Sequence, residues 1–231
     1  MKWLAQRQCR GVTIDLRNNP GGLLTAAERI CDLFIPKDAV IVTTRGRDAR
    51  ERDRYVASGD GPYQNLPLAV LVNDRSASAS EIVAACLQDH GRATVVGQRT
   101  FGKGTVQNVI PIEGGKSLLK LTIASYWRPS GKNIHRLSSS VDGDEWGVRP
   151  DPKCEVNLDE KQLARWQEIR HQRDVSAVAG AQQAAASAPP VPAPHASLEF
   201  DLQLRRAVEV IKQKLGPINP ATAEEIGRAH V

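Results

Sequence analysis

Ser78, in S-A-S-A-S-E (76 to 81), and Lys103, in T-F-G-K-G-T (100 to 105), are the residues whose types and placement could do covalent chemistry. A serine hydroxyl is a weak nucleophile and needs a base within hydrogen-bond reach, most often histidine. The histidines are poorly placed for that task. His90 lies at the far end of the helix that Ser78 opens, His135 in a polar loop, and His171, His195 and His230 in or beyond the tail segments. A G-x-S-x-G elbow is absent as well. Lysine is the remaining base, and it works only when burial lowers its amine from about 10.4 toward ~7 to 8. Gly102 and Gly104 flank Lys103 and Phe101 precedes it, which predicts tight backbone packing that keeps water off the amine.

Each residue alone has a plainer reading. Ser78-Ala79-Ser80-Glu81 fits the capping box S-x-x-E ahead of an apolar helical run. The two roles are compatible, because a helix N-terminus offers unsatisfied N–H groups to an oxyanion forming beside the serine. Gly97 to Lys103 (G-Q-R-T-F-G-K) matches the phosphate-cradling loop G-x-x-x-x-G-K, but Gly104 stands where Ser or Thr would hold magnesium, and the next residues read as a strand. Ser117-Leu118-Leu119-Lys120 matches S-x-x-K, yet lies in a strand-like run where positions three apart face opposite sides.

The elements that must position this pair read as an α/β layered domain. Gly11 to Leu16, Val40 to Thr44, Leu68 to Val72, Ala93 to Gly97, Thr105 to Pro111 and Ser117 to Trp127 read as strands. A helix through Leu23, Leu24, Ala27, Ile30, Cys31 and Phe34 stops at Pro36, and Ala79 to Asp89 forms a second. Arg45 to Asn65, polar and glycine-rich, reads as a surface excursion. Beyond Pro150 the chain divides into a short helical extension over 151–174, an Ala/Pro-rich disordered linker over 175–197, and an amphipathic helix over 198–216. The apolar stripe of that helix is Phe200, Leu204, Val208, Ile211 and Leu215, with Gly216-Pro217 as its stop.

Composition narrows the function classes. With 231 residues and 41% apolar content the chain can bury one core. The +5 charge is scattered and only 4% of residues are aromatic, which argues against nucleic acid as a partner. Cys9, Cys31, Cys86 and Cys154 show neither zinc spacing nor a disulfide framework, so no metal or cofactor is expected; Cys31 and Cys86 read as buried thiols. Residues 217–231 form a tail in which Glu225 to Val231 reads as translated sequencing adapter, and no export signal opens the chain. Both ends are expected to be truncated.

S-A-S-A-S-E-I-V-A-A-C-L-Q-D-H-G-R-A-T-V-V-G-Q-R-T-F-G-K-G-T-V-Q (76 to 107) and D-L-R-N-N-P-G-G-L-L (15 to 24) closely resemble the carboxy-terminal processing peptidases, or tail-specific proteases. The resemblance covers about Gly11 to Pro150. It implies a layered sheet-and-helix protease core of the ClpP/crotonase-like kind, represented over 1–150 by its C-terminal portion. It implies a serine endopeptidase in which Ser78 is the nucleophile, Lys103 the general base and Gln107 the residue that orients the lysine. On a strand, positions 103, 105 and 107 share a face, which fits that last role. The resemblance also implies an oxyanion hole from the backbone N–H groups of Ala79 and of Gly21 or Gly22, with Asp89 as helix-end structure or support. Implied partners are proteins or peptides with exposed C-termini. A PDZ domain or membrane tether ahead of the core would be missing here, and the implied location is periplasm or cell envelope. The chief alternative is a non-catalytic peptide-binding scaffold; nucleotide binding through Gly97 to Lys103 stands behind it.

Overall fold

The computed structural model describes residues 9–183 and 200–216. Two sheets carry the fold. The first is parallel, ordered β1 (Val12–Asp15), β4 (Leu68–Val72), β5 (Thr94–Gly97). The second is antiparallel, ordered β3 (Glu51–Val56), β2 (Val40–Arg45), β7 (Ser117–Trp127), β6 (Thr105–Ile112). Helices α1 (Leu24–Cys31) and α2 (Ala79–Asp89) pack together within the main core.

β4 reads Leu-Ala-Val-Leu-Val and is wholly buried, as expected of a central parallel strand covered on both faces. Leu68, Val70 and Val72 join Ile82, Val83 and Leu87 of α2 in the main core, while Ala69 and Leu71 face a second cluster. That second cluster is closed by helix α4 (Leu202–Leu215) through Ala207, Val210 and Ile211. The amphipathic helix of the sequence reading thus docks on the core, but along a shifted stripe. Gln203 and Ala207 are buried, whereas Phe200 is 43% exposed, because Gln203 is satisfied by hydrogen bonds rather than by hydrophobic partners. Gly216 ends the helix at φ +68.

Helix α1 ends at Cys31, short of the expected Phe34, and two further boundaries differ more widely from the sequence expectation. The polar stretch 45–65 contains β3, Glu-Arg-Asp-Arg-Tyr-Val, an edge strand paired, among the described residues, only to β2; its outward side chains are charged as edges commonly are. The helix expected to end by residue 174 continues as α3 (Glu160–Gln183), because the Ala-rich stretch after Val175 favours helix as strongly as linker. The rest of the linker, the tail 217–231 and the adapter-like Glu225 to Val231 lie outside the described residues, as do His195 and His230.

Cys31 and Cys86 are fully buried free thiols facing one another across α1 and α2, and Cys154 is buried as well. Their mutual hydrogen bond, with burial, raises the Cys31 thiol well above its ordinary value.

Candidate active site

The chain leaves β4 through Asn73 and turns back at Ser76, whose hydroxyl donates to the Leu16 carbonyl at 2.7 Å and accepts from Asn73 N–H at 2.9 Å. Ser78 follows at φ 57°, ψ −120°, a backbone region that a side chain occupies only under strain. Such strain costs about 1 to 3 kcal/mol and gathers at functional turns. An ordinary helix cap sits in the extended region and needs none of it. Ala77 and Ala79 on either side are buried.

What holds this turn is Glu81. Its carboxylate is inaccessible to solvent and lies under both loops of the site. Oε2 accepts the N–H of Ser78 and the N–H of Lys103, each at 2.8 Å. Oε1 accepts from Gly102 N–H at 2.7 Å and from the Thr100 hydroxyl at 2.5 Å. Burial raises the Glu81 pKa, and the bonds from Thr100, Gly102, Ser78 and Lys103 pull against that rise without cancelling it. A further main-chain bond, Phe101 N–H to Ser76 carbonyl at 3.0 Å, joins the same two loops. Glu81 and Thr100 are the site residues that sequence reasoning missed. The Ser-x-x-Glu spacing was visible, but a surface capping box has the same spacing. The discriminating signal was the company Glu81 keeps, as the one charge before Asp89 in a helix of Ile, Val, Ala, Cys and Leu.

The glycine turn closes the other side. Asn18 donates its N–H to Asn73 Oδ1 at 2.9 Å, and Ala77 N–H donates to the Asn19 carbonyl at 3.0 Å. Gly21 has φ +97, and a Cβ there would lie 2.6 Å from the Ala77 carbonyl oxygen and 2.9 Å from Ser78 Cβ, so only glycine fits. Its N–H is already taken by Asn19 Oδ1 at 3.0 Å. Gly22 faces open space, and among the described residues neither its N–H nor that of Ala79 meets an acceptor.

The loop that carries Lys103 departs from expectation in two respects. Gly102 and Gly104 are buried, but the side chain of Lys103 is exposed and Phe101 is 57% exposed, so the shielding expected from Phe101 is not present. The reason is the anchoring itself: the main chain of 101–103 is drawn onto Ser76 and Glu81, which leaves the side chains of Phe101 and Lys103 outward. The strand-face argument for Gln107 also fails. β6 begins at Thr105, so Lys103 precedes the strand and does not share its alternation with Gln107; the register irregularity opposite Val106 and Gln107 places its extra residue, Ile123, on β7. Gln107 is exposed and its amide donates to Thr122 Oγ1 at 3.4 Å. Asp89, at the far end of α2 from Ser78, pairs with Arg128 at 2.5 Å and accepts Ser130 N–H at 3.0 Å, tying the helix end to the turn after β7. His135 packs its main chain against Gly104, and His90 Nε2 bonds the Val40 carbonyl at 2.7 Å. Among the described residues no cluster of His, Cys, Asp and Glu could hold a metal ion.

The model for Peptidase family S41 matches residues 1–153. A carboxy-terminal-processing protease of Bartonella bacilliformis is 45% identical over 152 residues, covering 66% of this chain and 32% of the relative. A carboxyl-terminal-processing protease of Synechocystis is 39% identical over 155 residues, covering 67% of this chain and 33% of the relative. Among solved structures, the photosystem II D1 C-terminal processing protease superposes with a TM-score of 0.59 at 34% identity, over 67% of this chain and 36% of that one. A putative S41 protease of Bacteroides fragilis shares the fold at 18% identity and a TM-score of 0.52, over 70% of this chain and 41% of that one. The chain spans about a third of the length of these curated relatives. The layered core, the strained serine turn and a match over residues 1–153 together show that the chain belongs to peptidase family S41.

Proposed function

We propose that this chain carries the catalytic centre of a serine endopeptidase that cleaves proteins from or near their C-termini, working through an acyl-enzyme on Ser78 with Lys103 as general base. The observation that carries this reading is the shared Glu81 oxygen, which accepts the N–H groups of Ser78 and Lys103 and so joins the two loops that carry them. Neutral Lys103 takes the Ser78 proton as Oγ attacks the substrate carbonyl carbon. The oxyanion is received by the N–H groups of Ala79 and Gly22, with Gly21 supplying the close approach to Ser78. The lysine ammonium gives its proton to the leaving amine. Water, deprotonated by the same lysine, then hydrolyses the ester and regenerates the serine.

The exposed Lys103 side chain must be covered before its amine can act as a base, and bound substrate is the natural cover. Gln107 orients the lysine once that cover forms, and Asp89 supports α2 from its far end. The substrates are proteins or peptides with free C-termini, in the periplasm or cell envelope. Nucleotide binding finds no support, since β6 follows Lys103 where a phosphate loop requires a helix.

The test is cleavage of peptides with free C-termini by the chain and its variants. Hydrolysis that falls by ~10³-fold or more in both Ser78→Ala and Lys103→Ala supports the reading. Tight peptide binding with no turnover in any variant would replace it with the scaffold reading.

A further inference from the structure

The family match ends at residue 153, yet the strand that leads into the glycine turn is gripped by side chains from beyond it. Arg17, only 4% exposed, stands between Asp15 and Asp201. Its Nε and Nη2 donate to the two oxygens of Asp15 at 2.9 and 2.8 Å. Its Nη1 and Nη2 donate to the two oxygens of Asp201, both at 2.8 Å, and Nη1 also reaches Gln203 Oε1 at 3.1 Å. The guanidinium lies 4.6 Å from the centre of the Trp166 ring, and Trp166 Nε1 donates to Asp201 Oδ2 at 3.1 Å. Arg170, also on α3, pairs with Asp15 at 2.8 Å.

Two features make this more than surface pairing. Asp201 is the N-cap of α4, accepting Leu204 N–H at 2.9 Å, so the carboxylate that starts the helix is the one that grips Arg17. And Arg17 is the last residue before a turn held in uncommon backbone conformations, Asn18 at φ 58 and Gly21 at φ 97. Such a turn persists only where its surroundings over-determine it. On one side they are Asn73 and Ala77 of the serine loop. On the other they are α3 and α4.

We propose that Asp201, Gln203 and Trp166 are positioning residues for the glycine turn, so that their grip on Arg17, and not the apolar docking of α4, sets the geometry of the oxyanion donors. The chemical half rests on the serine-peptidase reading above. The structural half does not.

The experiment compares the full 231-residue chain with Asp201→Asn and with Val210→Ala, which loosens the apolar side of α4 without touching Arg17. Amide hydrogen exchange is read at Asn19 and Ala77, whose N–H groups bond the Leu16 and Asn19 carbonyls, and phosphonylation of Ser78 by a fluorophosphonate is timed across pH. Asp201→Asn is expected to speed exchange at both amides about tenfold or more and to slow phosphonylation by a similar factor, with the shape of its pH profile unchanged. Trp166→Phe keeps the ring and removes only the Nε1 donor, so it gives the same pattern about threefold in size and serves if Asp201→Asn does not fold. Exchange at Asn19 and Ala77 that is no faster in Asp201→Asn and Trp166→Phe than in Val210→Ala overturns the proposal. Should the parent chain fail to label at Ser78, the peptidase reading falls while the exchange comparison still decides whether the helices hold the turn.

Discussion

Ser78 and Lys103 hang from the same carboxylate oxygen, but their side chains meet different surroundings. The serine turn is enclosed by buried Ala77 and Ala79, by Gly21 and by α2, whereas the lysine side chain stands in solvent beside an exposed Phe101. The serine turn is therefore built in advance, at the expense of backbone strain that the core absorbs. The lysine is anchored at its main chain, and its side chain is uncovered. On the proposed reading, the fold fixes where the serine is, and bound substrate supplies the cover over the lysine side chain.

Glu81→Gln should break the comparison most severely. A carboxamide keeps one acceptor oxygen and sets an NH2 against N–H donors, so two or more buried donors lose their partner at about 1 to 3 kcal/mol each. A fall in melting temperature of roughly 4 °C or more is expected by calorimetry, at about 2 to 4 °C per kcal/mol for a chain of this size. A variant that melts with the parent would show that the two loops are held by something else.

The Asp15–Arg17 pair offers a pH test of the other anchor. Burial alone would raise the Asp15 pKa, but hydrogen bonds and charge from Arg17, with charge from Arg170, leave it below 3.8. Stability from this carboxylate is thus fully present above 3.8 and is lost as pH falls through the lowered native value. Melting temperature should drop on acidification in that window, and Asp15→Asn should flatten the drop while lowering stability at neutral pH. An unchanged acid limb in Asp15→Asn would refute the pairing.

The smallest effects belong to exposed residues. Phe101→Ser should shift stability by no more than about 0.5 kcal/mol, because the ring is already in water, and should act instead on substrate affinity. Leu118→Ser, at 67% exposure near the tip of the β6–β7 ribbon, should be equally mild in a denaturant melt.

Much of this was readable from residue patterns. The continuous apolar run of β4, the spacing through α2 and the glycines of the turn follow local rules that tertiary contacts did not override. β3 escaped because Glu-Arg-Asp-Arg carries no apolar alternation, and its strand identity comes from pairing with β2. The α4 stripe was misaligned because Gln203 is buried through bonds to Arg17 and to the Val156 carbonyl, which hydrophobic spacing cannot register. The role of Glu81 was hidden for the same reason: a satisfied buried carboxylate is defined by partners 19 to 22 residues away. The Gln107 alternation did not reach Lys103 because the strand starts two residues later, at Thr105.

The most direct measurement is intact-mass and peptide mapping of the chain after reaction with a fluorophosphonate, run in parallel on Ser78→Ala, Lys103→Ala and Glu81→Gln. A single adduct on Ser78 is expected in the parent, with none in Ser78→Ala and a rate reduced ~10³-fold or more in Lys103→Ala. Labelling that persists in both Ser78→Ala and Lys103→Ala would contradict a serine nucleophile served by a lysine base.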